Sequence, residues 1–300
     1  MTGTASGDAD HGPGPAGHDR ILSLGTRVLS YTVWGDPGGE PVMLVHGLNT
    51  ERHLWAPIAR QLASRYLVVC PDLRGHGDSS WAADGYHLAG FVADLRILAG
   101  HLGIFPFHYV GHSLGARIGI AYAGELSPTL RTLTLSDSGP EVSRAGALAV
   151  RERQAKIGAK RAFRDEAEAL EFIRSLQPSW QPAFHELYVK HQLRLNWAGR
   201  LVQKADPDLI WITGAVSLKD VPYLWDMMSC IEVPTLVMWG RTSELMDSDL
   251  VARMLAAAPH AEARMFDTGH YIPREQPDQF TEALAEFLGA HSPAARRRQG

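Results

Sequence analysis

Short apolar runs without alternation recur along this chain, at Val42 to Val45, Leu67 to Cys70, His108 to Val110, Leu133 to Leu135, Leu236 to Trp239 and Ala263 to Phe266. A strand with one wet face alternates apolar and polar residues, whereas a continuous run belongs to a strand buried on both faces. Helical periodicity fills most of the intervals, at roughly Glu51 to Ser64, Leu88 to Leu102, Leu114 to Glu125, Ser248 to Ala257 and Asp278 to Leu288. This alternation predicts a mostly parallel sheet with helices on both faces. Ahead of it, Ile21 to Leu24 and Val28 to Trp34, split by Gly25-Thr26-Arg27, predict an antiparallel hairpin.

The alternation breaks once, over residues 141–228. That block is mainly helical in pattern, carries nine aromatic residues from Phe163 to Trp225, and is too long for a simple connection. It is expected to be a helical cap over the carboxyl ends of the strands, inserted into a core made of residues 20–140 and 229–290. Residues 1–19 lack a basic start followed by an apolar stretch, so a disordered leader is expected there and a solvated basic tail over 291–300. A chain of 300 residues with 45% hydrophobic residues can bury a large core, and its net charge of −4 offers nothing to nucleic acid or anionic lipid. The longest apolar runs fall short of a bilayer span. The two cysteines, Cys70 and Cys230, suit buried thiols in a reducing compartment, and the expected location is the cytoplasm. The expected partner is a small molecule; oligomeric state is not legible.

The chemistry concentrates after the run at His108 to Val110, in Gly111-His112-Ser113-Leu114-Gly115. The chain must turn there from strand to helix so sharply that side chains at the two glycines would clash, and the turn projects the serine hydroxyl above the sheet. Ser113 also sits at a helix amino terminus, where backbone N–H groups favour developing negative charge. It is the predicted nucleophile. The strand Val42 to Val45 runs into His46-Gly47-Leu48-Asn49 beside that turn, so the N–H groups of Leu48 and Leu114 are the predicted oxyanion donors. Asn49 either orients the loop or touches substrate. Among 14 histidines, His270 follows the last apolar strand at the same sheet edge and is the predicted base. His46, His76 and His112 are expected to shape loops, and His185 and His191 to lie on an exposed helix face. No metal-ligand spacing such as H-E-x-x-H occurs, so neither a metal nor an organic cofactor is implied.

The order Ser113 then His270, together with the His46-Gly47 loop and the Asp72-Leu73-Arg74-Gly75-His76-Gly77-Asp78-Ser79 turn, resembles the α/β-hydrolase superfamily from residue 20 to 290. The resemblance implies an eight-stranded α/β-hydrolase fold, a nucleophile–acid–base mechanism, and structural roles for Arg74, His76 and Asp78. Members place the acid after the sixth strand or the seventh. After the seventh, Gly240-Arg241-Thr242-Ser243-Glu244 has Ser243 where the usual pattern has aspartate and Glu244 one place on. After the sixth, Asp137 follows Ser136, and its spacing from Ser113 is similar to that in the cofactor-free amidases and enamide hydrolases of pyridine and vitamin B6 catabolism and in zearalenone lactonases. Asp137 is favoured, with Glu244 as the alternative.

Arg153 falls where the vitamin B6-pathway enamide hydrolase grips a substrate carboxylate. The second gripping pair of that enzyme is replaced here by Leu176-Gln177. The other early cap arginines, Arg144, Arg151, Arg161, Arg164 and Arg174, read as a solvated helical face. The expected activity is hydrolysis of a carboxylic ester, lactone or amide of a small, largely apolar substrate through an acyl-enzyme. The same scaffold would also serve a non-hydrolytic lyase or cyclase, or a slow-turnover ligand receptor.

Overall fold

The computed structural model describes residues 16–213 and 218–293. The chain opens with the hairpin β1 (His18–Leu24) and β2 (Arg27–Trp34), followed by β3 (Glu40–Val45), α1 (Ala56–Leu62), β4 (Tyr66–Pro71), α2 (Leu88–Leu102), β5 (Phe107–His112), α3 (Leu114–Leu126) and β6 (Leu130–Ser136). An insertion then carries α4 (Arg144–Ala159), β7 (Ala162–Phe163), α5 (Glu166–Leu176), α6 (Pro182–Gln192), β8 (Leu193–Leu195), β9 (Leu201–Gln203) and α7 (Val221–Ser229). The chain finishes with β10 (Thr235–Gly240), α8 (Ser248–Ala257), β11 (Ala261–Phe266), α9 (Ile272–Glu275) and α10 (Pro277–Ala290).

Eight strands form one sheet in the order β1-β2-β4-β3-β5-β6-β10-β11, parallel from β4 onward. Buried side chains on its two faces make two apolar layers, because each central strand buries both sets of alternate residues. Tyr109, Tyr122, Phe91 and Leu133 fill one layer with α2 and α3. Trp55, Ile58, Val110, Phe280 and Leu284 fill the other with α1 and α10. The insertion has its own smaller core of Phe163, Trp180, Phe184 and Tyr188, which also takes Leu54 from the main body.

Several expectations are corrected. The leader expected over 1–19 does not include His18 and Asp19, which pair with Val33 and Thr32 in β1; residues 1–15 lie outside the described residues, as do 294–300 of the expected basic tail. The insertion is mainly helical, and to the expected helices it adds a small antiparallel sheet of β7, β9 and β8. The run Ala263 to Phe266 is not buried on both faces: β11 ends the sheet, and Glu262 to Met265 are exposed. Cys70 is buried and unpaired, while Cys230 is exposed. His185 is buried, with its Nε2 at 2.8 Å from the Gln177 carbonyl, and does not face solvent. Among the described residues no helix is long and apolar enough to cross a membrane.

Candidate active site

Backbone geometry dictates the turn after β5. Gly111 and Gly115 approach so closely that a Cβ on Gly111 would lie 2.2 Å from the Gly115 carbonyl oxygen, and one on Gly115 would lie 2.4 Å from that of Val45. Between them Ser113 is held at φ +57°, a region that non-glycine residues occupy only under constraint. Its N–H donates to the Ser136 carbonyl at 3.0 Å, and α3 begins at the next residue. The hydroxyl therefore stands at the carboxyl edge of the sheet, above a helix amino terminus.

His270 comes to that hydroxyl from the loop between β11 and α9. Its Nε2 lies 3.1 Å from Ser113 Oγ, and its Nδ1 lies 2.8 Å from Asp137 Oδ2. Asp137 is fully buried just past β6, also at positive φ, +50°. Its Oδ1 accepts from the Gly240 N–H at 2.8 Å and its Oδ2 from the Ser243 hydroxyl at 2.5 Å. Ser243 thus supports a carboxylate that arrives from the neighbouring strand. Burial pushes the Asp137 carboxyl up to about 7, against the hydrogen bonds from Ser243 and Gly240. Burial, with the Arg153 and Arg274 charges, holds His270 well below the usual histidine range, so its ring is neutral at rest. Since Nδ1 faces a carboxylate, the proton belongs there and the Nε2 lone pair faces Ser113.

Glu244 is elsewhere. Its carboxylate pairs with the Arg153 guanidinium on α4, and Arg153 Nη1 also donates to the Tyr271 hydroxyl at 3.1 Å. Gln177 Nε2 donates to the same hydroxyl at 3.0 Å. This cluster joins the insertion to the main body beside His270, whose ring centroid is 4.8 Å from that of Tyr271. Arg274 is buried against the same group, its guanidinium carbon 4.7 Å from the Trp180 ring centroid and 5.2 Å from that of Tyr271. Burial lowers it to about 10, which leaves it charged at neutral pH. Tyr271 and Arg274 were not legible as site residues, and only the adjacency of Tyr271 to His270 could have pointed to one of them. Gln177 was reached only as part of the pair that replaces a substrate-gripping pair.

The β3 loop meets the turn from the other side. Gly47 packs against Ser113, where a Cβ would lie 3.0 Å from the serine Cβ. The Leu48 and Leu114 amides have no partner among the described residues. Asn49, at φ +53°, donates its side-chain amide to Gln154 of α4, and its carbonyl accepts from Gln192 Nε2 at 3.2 Å. His46 is buried and pushed down to about 3 by desolvation; its Nε2 accepts from the Leu73 N–H at 3.0 Å and its Nδ1 meets the Gly47 carbonyl at 2.8 Å. It ties the β3 loop to the β4 loop. Arg74 clasps Asp94 through two bonds of 2.7 and 2.8 Å, and Asp72 accepts from the Arg52 and Asp78 N–H groups, both at 2.8 Å. Among the described residues no group of three or more His, Cys, Asp or Glu side chains is placed to hold a metal ion.

A serine hydroxyl, a neutral imidazole and a buried carboxylate in line, with two backbone donors alongside, form a unit able to move a proton off oxygen while holding negative charge nearby. The model of the alpha/beta hydrolase fold family matches residues 40–277 of this sequence. The chain is an enzyme of the α/β-hydrolase family. The 3-hydroxybutyrate-oligomer hydrolase of Cupriavidus necator is 29% identical over 291 residues, covering 90% of this α/β-hydrolase and 96% of that one. The structure of E-2-(acetamidomethylene)succinate hydrolase superposes with a TM-score of 0.84 at 21% identity, covering 92% of this chain and 100% of that one. N-formylmaleamic acid deformylase from Pseudomonas putida S16 gives 0.70 at 21% identity, covering 89% and 100%. These two structural likenesses bear on the fold alone.

Proposed function

We propose that this α/β-hydrolase cleaves a carboxylic ester, lactone or amide of a small, largely apolar substrate through an acyl-enzyme on Ser113. The observation that carries the reading is His270 bridging Ser113 Oγ at 3.1 Å and Asp137 Oδ2 at 2.8 Å. His270 Nε2 takes the serine proton as Oγ attacks the carbonyl carbon, and the tetrahedral oxyanion is received by the Leu48 and Leu114 N–H groups. Imidazolium then returns the proton to the leaving oxygen or nitrogen, and the leaving group departs. His270 next deprotonates a water, whose oxygen attacks the acyl carbon; collapse releases the acid and restores the serine. Asp137 keeps the Nδ1 proton in place and offsets the imidazolium charge.

Residues 141–228 serve in this reading as the cap that sets substrate choice. Arg153 and Asn49 stand at its seam with the core, and both are already engaged, by Glu244 and by Gln154. A charge so compensated favours an uncharged acyl group there over a carboxylate. The likeness to a 3-hydroxybutyrate-oligomer hydrolase over nearly the whole chain supports an ester as the first bond to test. Placement in the cytoplasm rests on two cysteines that do not pair with each other.

The test is covalent labelling by a fluorophosphonate, followed by turnover of an ester panel in 18O-labelled water. Labelling is expected in the wild type and lost in Ser113→Ala, with the heavy oxygen in the acid product. Labelling that survives Ser113→Ala overturns the nucleophile, and turnover without incorporated oxygen points to a lyase.

A further inference from the structure

The main sheet ends on β11, and that edge is open. Glu262, Ala263, Arg264 and Met265 are exposed in succession. Successive strand residues turn their backbone N–H and C=O alternately to the two sides. The Phe266 carbonyl accepts from the Arg241 N–H at 2.8 Å and the His260 carbonyl from the Thr235 N–H at 3.0 Å, so the even-numbered residues address β10. The odd-numbered ones address the open side. There the Ala261 N–H turns back to the Ala258 carbonyl at 2.9 Å. The Ala263 N–H and C=O, the Met265 N–H and the Ala261 C=O have no partner among the described residues. The side chains of Glu262 and Arg264 share the face that carries α10, where Arg264 Nη2 meets Glu286 Oε2 at 2.9 Å.

We propose that β11 pairs with β11 of a second copy of this chain, antiparallel about a two-fold axis at Ala263, to make a dimer with one continuous sheet. Three features of the edge converge on this occupant. First, the parity fits. With Ala263 opposite its counterpart, the two alanines exchange N–H···O=C bonds, and each Met265 N–H reaches the Ala261 carbonyl of the other copy. Secondly, the charges fit. Glu262 and Arg264 fall at the flanking non-hydrogen-bonded positions, where opposed side chains come closest. Each Glu262 there faces an Arg264, on both sides of the axis. Thirdly, no neighbouring register does as well. An axis at Glu262 or at Arg264 still pairs the odd-numbered backbone groups, but it sets like charges opposite one another at the non-hydrogen-bonded pair on the axis. A groove of about 380 Å³, lined in part by Glu262, Arg264, Glu286 and Phe287, gives the longer side chains room beside α10. The contact is isologous, so it closes at two copies and leaves no further edge of this kind.

The experiment is sedimentation equilibrium on the full chain from micromolar to sub-millimolar concentration. The wild type is expected to show a monomer–dimer equilibrium. Glu262→Arg and Arg264→Glu each put like charges opposite one another twice and are expected to weaken dimerisation about tenfold or more. The double reversal Glu262→Arg/Arg264→Glu restores both pairs and is expected to recover most of the affinity, an outcome that a merely disrupted surface would not give. Ala263→Pro removes the central donors and is expected to give a monomer. Unchanged circular dichroism and turnover per chain show that each variant is folded. A wild type that stays monomeric throughout overturns the proposal. So does a dimer indifferent to the single reversals, or a double variant no better than the singles.

Discussion

At the scale of single residues, two carboxylates near the insertion's seam take different partners. Asp137 is buried at His270, and Glu244 is spent on Arg153. Asp137→Asn keeps the shape but offers the imidazole an amide, which allows the wrong tautomer, and is expected to lower kcat by about 10⁴. Glu244→Gln is expected to leave kcat within severalfold and to raise KM, because it frees a cationic guanidinium at the seam of the insertion. Steady-state kinetics on one ester decide it. Near-wild-type turnover in Asp137→Asn with loss in Glu244→Gln would sink the assignment. The meeting of Ser113 with His270 was legible because the turn after β5 and the loop after β11 open at the same sheet edge. The acid was ambiguous because carboxylates follow both strands. Tyr271 could not be read as a junction, since it meets Arg153 across 118 positions and Gln177 across 94.

At the scale of elements, the steric demands of the turn after β5 are the firmest local constraint. Gly111→Ala places a methyl 2.2 Å from a backbone oxygen that cannot move without dragging α3, and is expected to cost about 1–3 kcal/mol. Gly158, near the end of α4, has nothing within 4 Å of where its Cβ would stand, and Gly158→Ala is expected to gain about 0.5–1 kcal/mol. Chemical denaturation of the two variants, side by side, checks both signs. The central strands were legible from continuous apolar runs because helices cover both of their faces. The same signal misled at β11, where the run Ala263 to Phe266 contains Arg264 and ends the sheet. In the insertion, β7, β8 and β9 are only two or three residues each, too short to impose a period of two on the sequence.

At the scale of the whole molecule, stability is bound to the protonation of buried histidines. His46 and His76 are pushed down to about 3, and His112 and His270 well below the usual range, all chiefly by burial. As pH falls below about 6.5 the unfolded chain takes up protons that the folded chain refuses, so their contribution is complete above that pH and is lost below it. Asp137, at about 7, and Asp72, raised to about 6, act in the opposite sense, because burial makes the folded chain hold their protons longer. His191, lowered to about 4, adds to the histidine side, which outnumbers the two carboxyls, so stability is expected to fall as the pH is lowered from 6 to 4. Urea melts across that range test this, and a flat or rising midpoint on acidification would refute it.

Asp137 reaching His270 from the end of β6 has a consequence for how this scaffold can be altered. The loop after β10 supplies only Gly240 and Ser243 to the carboxylate, so Arg241, Thr242 and Glu244 are released from holding it. Arg241 and Thr242 instead bond Asp267 and Thr268, just ahead of His270. A library confined to Glu244, which meets Arg153 of the insertion, is therefore the one expected to alter how the insertion seats while leaving the His270 loop in place. The seam with the insertion can be varied there apart from the loop that carries His270.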